Sequence, residues 1–373
     1  MIKLSKSCLS NKEIKRVNNV LKKEFLGSGN ETKIFEKKLE NYFKSHVVCC
    51  VNGTAAIQLA LQACGAKKGD EVLCQSITFA ATYQAITATG AKVIPCDIKE
   101  NLAIDLEDAK KKLSKKTKFI VPVYYGGIPS DIQKIYNFAK KYNLIVVEDA
   151  AHSFGTTFKN KLIGSHNKVT CFSFDGIKNI TSGEGGCIVT KSKNIKDKIN
   201  IIKNLGIENK TKFNLKNFEI DVKHQGWRYH MSDLMAAIGI AQFERKKLFF
   251  QKRVSLSNKY ISLLKKCKKI SFFVKKYKNE VPHIFPIRIR NLKNKNLLRE
   301  NLQNNQIQIG GQYYPLNFTY FFDKNRKYKC KRSMKIYNEI ITLPLHYDIT
   351  EKDVNLISNV LISELKKDIY FKN

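Results

Sequence analysis

The sequence predicts an α/β protein with a mostly parallel central sheet in a large domain and a smaller α+β domain after it. Three observations carry this. Short, continuously apolar runs that suit buried parallel strands alternate with helix-period segments from Val47 to Val189. Glycines close the helical segments, as at Gly65 and Gly90. Beyond about Lys259 the chain turns lysine-rich and its patterns mix. The boundary falls at 1–245 and 246–373, with residues 1–25 free to pack on the smaller domain.

The elements follow in order. Ser10 and Glu13 form a capping-box pattern that opens a helix running toward Phe25. Gly27-Ser28-Gly29 breaks the chain into a loop, and Ile34, Phe35, Leu39 and Phe43 recur at helical spacing. Strands are predicted at Val47–Val51, Glu71–Cys74, Val93–Cys96, Phe119–Val123, Leu144–Val147, Cys171–Phe174 and Cys187–Val189. Helices are predicted at Thr54–Cys64, Ala80–Thr89 and Asp131–Tyr142, and one long helix from about Ser232 to Leu256.

With 43% hydrophobic residues among 373, the chain can bury a large core and a second smaller one. No run of about 18 apolar residues is present and Met1–Ser10 has no apolar signal core, so a cytoplasmic location is expected, without membrane insertion. The ten cysteines are scattered without a C-x-x-C pair, which fits reduced buried thiols and offers no metal-ligand spacing. A net charge of +35 raises nucleic-acid binding. Lysine far outnumbers arginine, however, and is spread along the whole chain, so the excess reads as compositional bias and no nucleic-acid partner is expected. The densest basic stretch, Lys110–Lys118, reads as a solvated helix end and turn. The positive field would still draw in an anionic substrate.

In open α/β sheets ligands bind beyond the carboxyl ends of the strands, so the residues standing there are the site candidates. Asn52-Gly53-Thr54-Ala55 opens a helix after the first strand. Gly53 permits close backbone approach, and the N–H groups of Thr54 and Ala55 with the Thr54 hydroxyl suit a phosphate; an ordinary Thr N-cap is the plain alternative. Asp149 stands where a strand meets the site and can pair with a protonated ring nitrogen; His152 follows within one turn. They read equally as a helix cap and a surface residue. Lys178 lies between two apolar strands ahead of Gly183, Gly185 and Gly186. Desolvation there would lower its pKa and make its amine a nucleophile and base, whereas most lysines of this chain are solvated charges. Ser173 at a strand end can reach the same phosphate as Thr54. Phe79 can stack on a ring or simply pack in the core.

Taken together, Asn52-Gly53-Thr54-Ala55-Ala56, Glu148-Asp149-Ala150-Ala151-His152, Ser173-Phe174 with Lys178, and Gly183-Glu184-Gly185-Gly186 resemble the DegT/StrS family of sugar aminotransferases. Gly27-Ser28-Gly29, Tyr125-Gly126-Gly127, the Gly226–Ser232 loop and Leu343-Pro344-Leu345-His346 extend the resemblance over nearly the whole chain. It implies the type I fold of pyridoxal-phosphate (PLP) enzymes and a homodimer with active sites at the interface. Lys178 would bond to the cofactor aldehyde, Asp149 would meet the pyridine nitrogen, and His152 would lie near the ring hydroxyl. Phe79 would stack on the ring, Gly53, Thr54, Ala55 and Ser173 would hold the phosphate, and the Gly226–Ser232 loop would come from the neighbouring subunit. Gly27, Ser28, Glu184, Tyr229, Tyr313 and Tyr314 are the substrate-side candidates.

The implied substrate is a nucleotide-linked keto sugar, with a 4-keto group favoured over a 3-keto group, and the amino donor is L-glutamate. Two residues depart from the family pattern. Arg228 replaces a frequent Asn that contacts the cofactor phosphate, and His230 replaces a frequent Arg. A guanidinium can also hold phosphate. A dehydratase branch of the family carries His in place of the cofactor-bonding lysine, so Lys178 argues for the transaminases. A regulatory nucleic-acid-binding protein would account for the charge and not for Asp149 and Lys178 together.

Overall fold

The computed structural model describes residues 1–129, 131–166, 168–208, 221–322 and 327–371. Its centre is a seven-stranded sheet in the order β1-β9-β8-β5-β4-β2-β3. These strands are β1 (His46–Cys50), β2 (Glu71–Gln75), β3 (Lys92–Cys96), β4 (Thr117–Val121), β5 (Ile145–Asp149), β8 (Val169–Ser173) and β9 (Gly186–Thr190). Neighbours from β8 to β3 pair in parallel; β9 runs antiparallel to both β8 and β1. The carboxyl ends of the other six strands therefore share one edge, where the site forms.

Strand periodicity divides the core. Val48 and Cys50 face one cluster with Val72, Val121 and Val147, while Val47 and Cys49 face another with Phe172, Cys187 and Val189. Both faces are thus buried, which is why these strands read as unbroken apolar runs. Helices α3 (Gly53–Ala63), α4 (Ala80–Thr87) and α7 (Lys193–Ile202) cover the first face. Helices α2 (Asn30–Phe43), α6 (Ile132–Lys141) and α8 (Asp233–Glu244) cover the second. Short α5 (Leu106–Lys111) ends in the expected basic turn. All ten cysteines are free thiols and seven are buried.

A second sheet, β10 (Ile270–Phe272), β11 (Phe285–Ile289) and β12 (Ile340–Leu343), is antiparallel. It has its own core with α9 (Lys246–Leu264), α10 (Lys295–Asn304) and α12 (Glu351–Glu364), while α11 (Lys331–Glu339) feeds into β12. The N-terminus ties to this unit: Gln308 N–H donates to Ile2 O at 3.0 Å and Leu345 N–H to Leu4 O at 3.1 Å. Helix α1 (Asn11–Leu21), with the predicted Ser10–Glu13 capping box, packs on α8.

Three details differ from the sequence reading. The single helix expected over 232–256 is two, parted at Arg245, whose guanidinium reaches back to Glu13 at 2.8 Å and Ser10 at 2.9 Å. Elements unforeseen in the large unit include α7, capped by Ser192 Oγ accepting from Ile195 N–H at 3.3 Å, and a small hairpin of β6 (Thr157–Phe158) and β7 (Lys161–Leu162). The hairpin turns on Lys159 and Asn160, both left-handed at φ 48° and 60°. The antiparallel sense of β9 was also not legible, because a fully buried strand carries the same apolar run in either direction.

Candidate active site

Strand alternation splits Glu148 from Asp149 at the end of β5. Glu148 turns away, accepting hydrogen bonds from Tyr124 and Thr170, each at 2.6 Å, and from Tyr136. Asp149 turns into a cavity of about 620 Å³ at the strand ends. Its Oδ2 accepts from the Thr82 hydroxyl at 2.7 Å and its Oδ1 from Ala151 N–H at 3.1 Å. Thr82 in turn shares a 2.7 Å bond with Thr78. Burial pushes the Asp149 carboxyl upward in pKa, opposed by these bonds and by the charge of Lys178. No cation pairs with it among the described residues.

Lys178 sits in the loop between β8 and β9 and lines the same cavity. Among the described residues its amine takes part in no hydrogen bond and no ion pair. Burial lowers its pKa to about 8, against the opposing charges of Asp175 and Asp149. An amine poised in this way is a nucleophile near neutral pH.

The start of α3 lines the same cavity. The first N–H groups of a helix have no intrahelical partner. Asn52 Oδ1 caps Ala55 N–H at 2.8 Å, and Ala56 N–H goes to Asn52 O at 3.1 Å. This corrects two expectations. Ala55 is buried with its N–H already taken, and the cap is Asn52 rather than Thr54. The N–H groups left over for an anion are those of Gly53 and Thr54, beside the hydroxyls of Thr54 and Ser173. Gly53 is required for a different contact than foreseen: a Cβ there would lie 2.8 Å from Ser173 Cβ, so glycine lets the helix start close on the end of β8.

His152, Phe79, Glu184 and Tyr313 also line the cavity. Phe79 is 59% exposed and leans on Tyr313 at 5.5 Å between ring centroids. Glu184 has its carboxyl pKa raised, first by burial and then by Asp175. His152 is buried; its Nδ1 accepts from Gly126 N–H at 3.2 Å and its Nε2 meets the Tyr313 hydroxyl at 3.3 Å.

Besides Ala55, five predicted residues do not line the cavity. Gly27 and Ser28 are exposed, on a loop fixed by Asp233. Arg228 is exposed and bridges to Asn204, Tyr229 stacks on Trp227 at 5.7 Å, and Tyr314 stands edge-on to Tyr337 at 5.2 Å. Asn52, Thr82, Asp175 and Gln312 belong to the cavity and were missed. Of these, only Asn52 had a sequence signal, as a capping residue before a helix.

Among the described residues, a lysine amine without a partner, a buried carboxylate without a cation and an anion pole at a helix start, all at the carboxyl edge of a mostly parallel sheet, mark the site of a PLP enzyme of the type I class. These groups fit the cofactor: the amine can bond to its aldehyde, the carboxylate can meet its ring nitrogen, and the pole can take its phosphate. Comparison narrows the class. Residues 7–361 match the model of the DegT/DnrJ/EryC1/StrS aminotransferase family. The chain is 30% identical over 375 residues to UDP-4-amino-4,6-dideoxy-N-acetyl-beta-L-altrosamine transaminase of Campylobacter jejuni, covering 98% of each chain. It is 33% identical over 317 residues to GDP-perosamine synthase of Escherichia coli O157:H7, covering 83% of this chain and 84% of the other. Spr1654 of Streptococcus pneumoniae, assigned as a sugar aminotransferase, superposes in its PMP form with a TM-score of 0.91 at 26% identity, covering 98% of this chain and 100% of the other.

The chain therefore belongs to the DegT/DnrJ/EryC1/StrS aminotransferase family. It is a PLP-dependent sugar aminotransferase with the fold expected of one.

Proposed function

We propose that this enzyme transfers the amino group of L-glutamate to the keto carbon of a 4-keto-6-deoxy sugar carried on a nucleotide, for glycoconjugate or surface polysaccharide synthesis. The observation that carries the reading is the Lys178 amine, without a hydrogen-bond or ion-pair partner among the described residues, lining the same cavity of about 620 Å³ as Asp149. The nucleotide-linked substrate is supported by the relatives named for UDP- and GDP-sugars.

Lys178, Asp149, His152, Phe79, Gly53, Thr54 and Ser173 would hold the cofactor. Bound there, PLP supplies the aldehyde carbon that carries the amino group and a ring that accepts the electron pair of a broken C–H bond. Asp149, itself steadied by Thr82 and Ala151, would keep a proton on the ring nitrogen. The Lys178 amine would take the proton from the donor Cα and return it on the other side of the transfer. Its lowered pKa leaves a useful neutral fraction for this work at neutral pH. Thr54 and Ser173 anchor the phosphate end, and Phe79 and Tyr313 shield the reacting end from water.

We assign the chain to a homodimer in which Arg228 and Tyr229 serve the cavity of the second subunit. Glu184 and Tyr313 meet the sugar, and Gly27, Ser28 and Tyr314 meet the parts of the substrate that project beyond the cavity. The division at 245/246 is part of the same proposal, supported by the separate core beneath the small sheet. The test is incubation with PLP, L-glutamate and a panel of nucleotide-linked 4-keto and 3-keto sugars, read by mass spectrometry. An amino sugar from a 4-keto substrate is the expected product. Amination of 3-keto sugars alone would reassign the position, and no amination of any sugar would overturn the substrate reading.

A further inference from the structure

The Tyr313 hydroxyl has a defined direction, set by the imidazole behind it. Gly126 adopts φ 66°, a left-handed value suited to glycine, within the tight turn that aims its N–H at His152 Nδ1. A nitrogen that accepts a hydrogen bond carries no proton, so the neutral ring must carry it on Nε2. The ring is neutral: burial and the charge of Lys178 hold its pKa well below the usual range. Nε2–H then donates to Tyr313 Oη at 3.3 Å.

Among the described residues, the Tyr313 hydroxyl makes no other hydrogen bond. Tyr125 is spoken for, donating to Gln312 O, and His283, whose ring lies 4.4 Å from His152, leaves its Nδ1 without a partner. With its oxygen accepting from behind, Tyr313 has its own O–H free to donate, and the residue lines the same cavity as Lys178 and Asp149. The phenol stays protonated, since burial and the nearby Asp149 and Asp175 carboxylates raise its pKa.

We propose that Tyr313 is a catalytic proton donor whose hydroxyl, anchored by His152 Nε2–H, protonates the oxygen that leaves the keto carbon of the sugar. His152 is the positioning residue for that donor. This rests on the keto-sugar reading above. The step balances without a co-reactant. The Tyr313 O–H bond breaks and a new O–H bond forms on the substrate oxygen. In adding to the carbon, the incoming amine has already passed one proton to that oxygen, so the Tyr313 proton completes a water molecule and the C–O bond breaks with its electron pair on the oxygen. The nitrogen lone pair forms the second carbon–nitrogen bond in its place, and the second proton that nitrogen loses returns to Tyr313 Oη. Nothing is oxidised or reduced.

The experiment follows the two half-reactions of the holoenzyme separately, with a cofactor-independent measurement beside them. In Tyr313→Phe the ring contacts stay and only the hydroxyl goes. The half-reaction with glutamate alone, read by absorbance, is expected to hold within about threefold. The half-reaction with the keto sugar is expected to slow by about 10²- to 10⁴-fold. The cofactor spectrum and cofactor affinity should not move. His152→Gln, which can place an amide N–H toward Tyr313, should recover part of what His152→Leu loses in the sugar half-reaction. Equal slowing of both half-reactions in Tyr313→Phe, or of neither, overturns the proposal.

In the cofactor-free protein, ¹⁵N-histidine NMR should show His152 protonated on Nε2, its signal assigned by loss in His152→Gln. An Nδ1–H tautomer overturns the proposal even if Tyr313→Phe does not fold. Failure of the wild type to aminate any sugar would sink the substrate assignment by itself, and the tautomer would still decide where Tyr313 points its proton.

Discussion

At the scale of single residues, the account concentrates on groups whose environments push them away from their ordinary states. Lys178 is the sharpest case. Only the neutral amine can attack the cofactor aldehyde, so loading of the cofactor-free enzyme with PLP should accelerate as pH rises through about 8, followed by absorbance. The same shift bears on stability. A buried ammonium is penalised when charged, so the penalty is full below about pH 8 and gone above the usual lysine value of 10.5. Lys178→Met should therefore stabilise the cofactor-free enzyme by about 1–3 kcal/mol at pH 7, a gain that vanishes at high pH in thermal melts. Around Asp149 the expectation runs the other way. Thr82→Val removes the 2.7 Å bond that fixes its Oδ2 and should cost about tenfold in kcat, with Asp149→Ala costing far more. Lys178, Asp149 and His152 were legible because each follows an apolar strand. Thr82 was not, since its meeting with Asp149 is a contact across 67 residues.

At the scale of elements, the fold depends on how helix starts are closed. Asp233, the first residue of α8, caps α2 through Gly29 N–H at 2.8 Å, Glu31 N–H at 3.1 Å and Thr32 N–H at 3.0 Å. Burial alone would raise its pKa, and these bonds bring it below the ordinary value. A carboxylate lowered in the folded state contributes stability above its unfolded pKa and loses it as pH falls through the folded value. Asp233→Asn should therefore destabilise the protein at pH 7 and flatten the acid limb of a denaturation profile below about pH 4. At α3, Gly53→Ala would set a Cβ 2.8 Å from Ser173 Cβ and separate the two sides of the anion pole. PLP affinity measured by titration should fall by about tenfold, or about 1.4 kcal/mol. The capping box at Ser10 and the alternation of strands and helices could be read from the sequence because both are local. The break at Arg245 could not, since the partner its guanidinium finds there, Glu13, belongs to a distant helix.

At the scale of the whole molecule, the net charge of +35 finds a modest use. A basic surface raises encounter rates with an anionic sugar nucleotide, and added salt screens it. The KM for the nucleotide sugar should rise with ionic strength while kcat changes little, as measured by initial rates from low to high salt. The two-part architecture was legible from the change of pattern after Lys259. The placement of residues 2–4 beside the second sheet needed the folded chain, since Leu4 and Leu345 meet only there.

The central claim is that one lysine out of many carries the cofactor. Borohydride reduction of the PLP-loaded enzyme, followed by peptide mass mapping, tests it most directly. The account predicts a single pyridoxyl-modified peptide containing Lys178, lost in Lys178→Ala. A modification centred on any other lysine, or an unmodified Lys178 in an active enzyme, would contradict it.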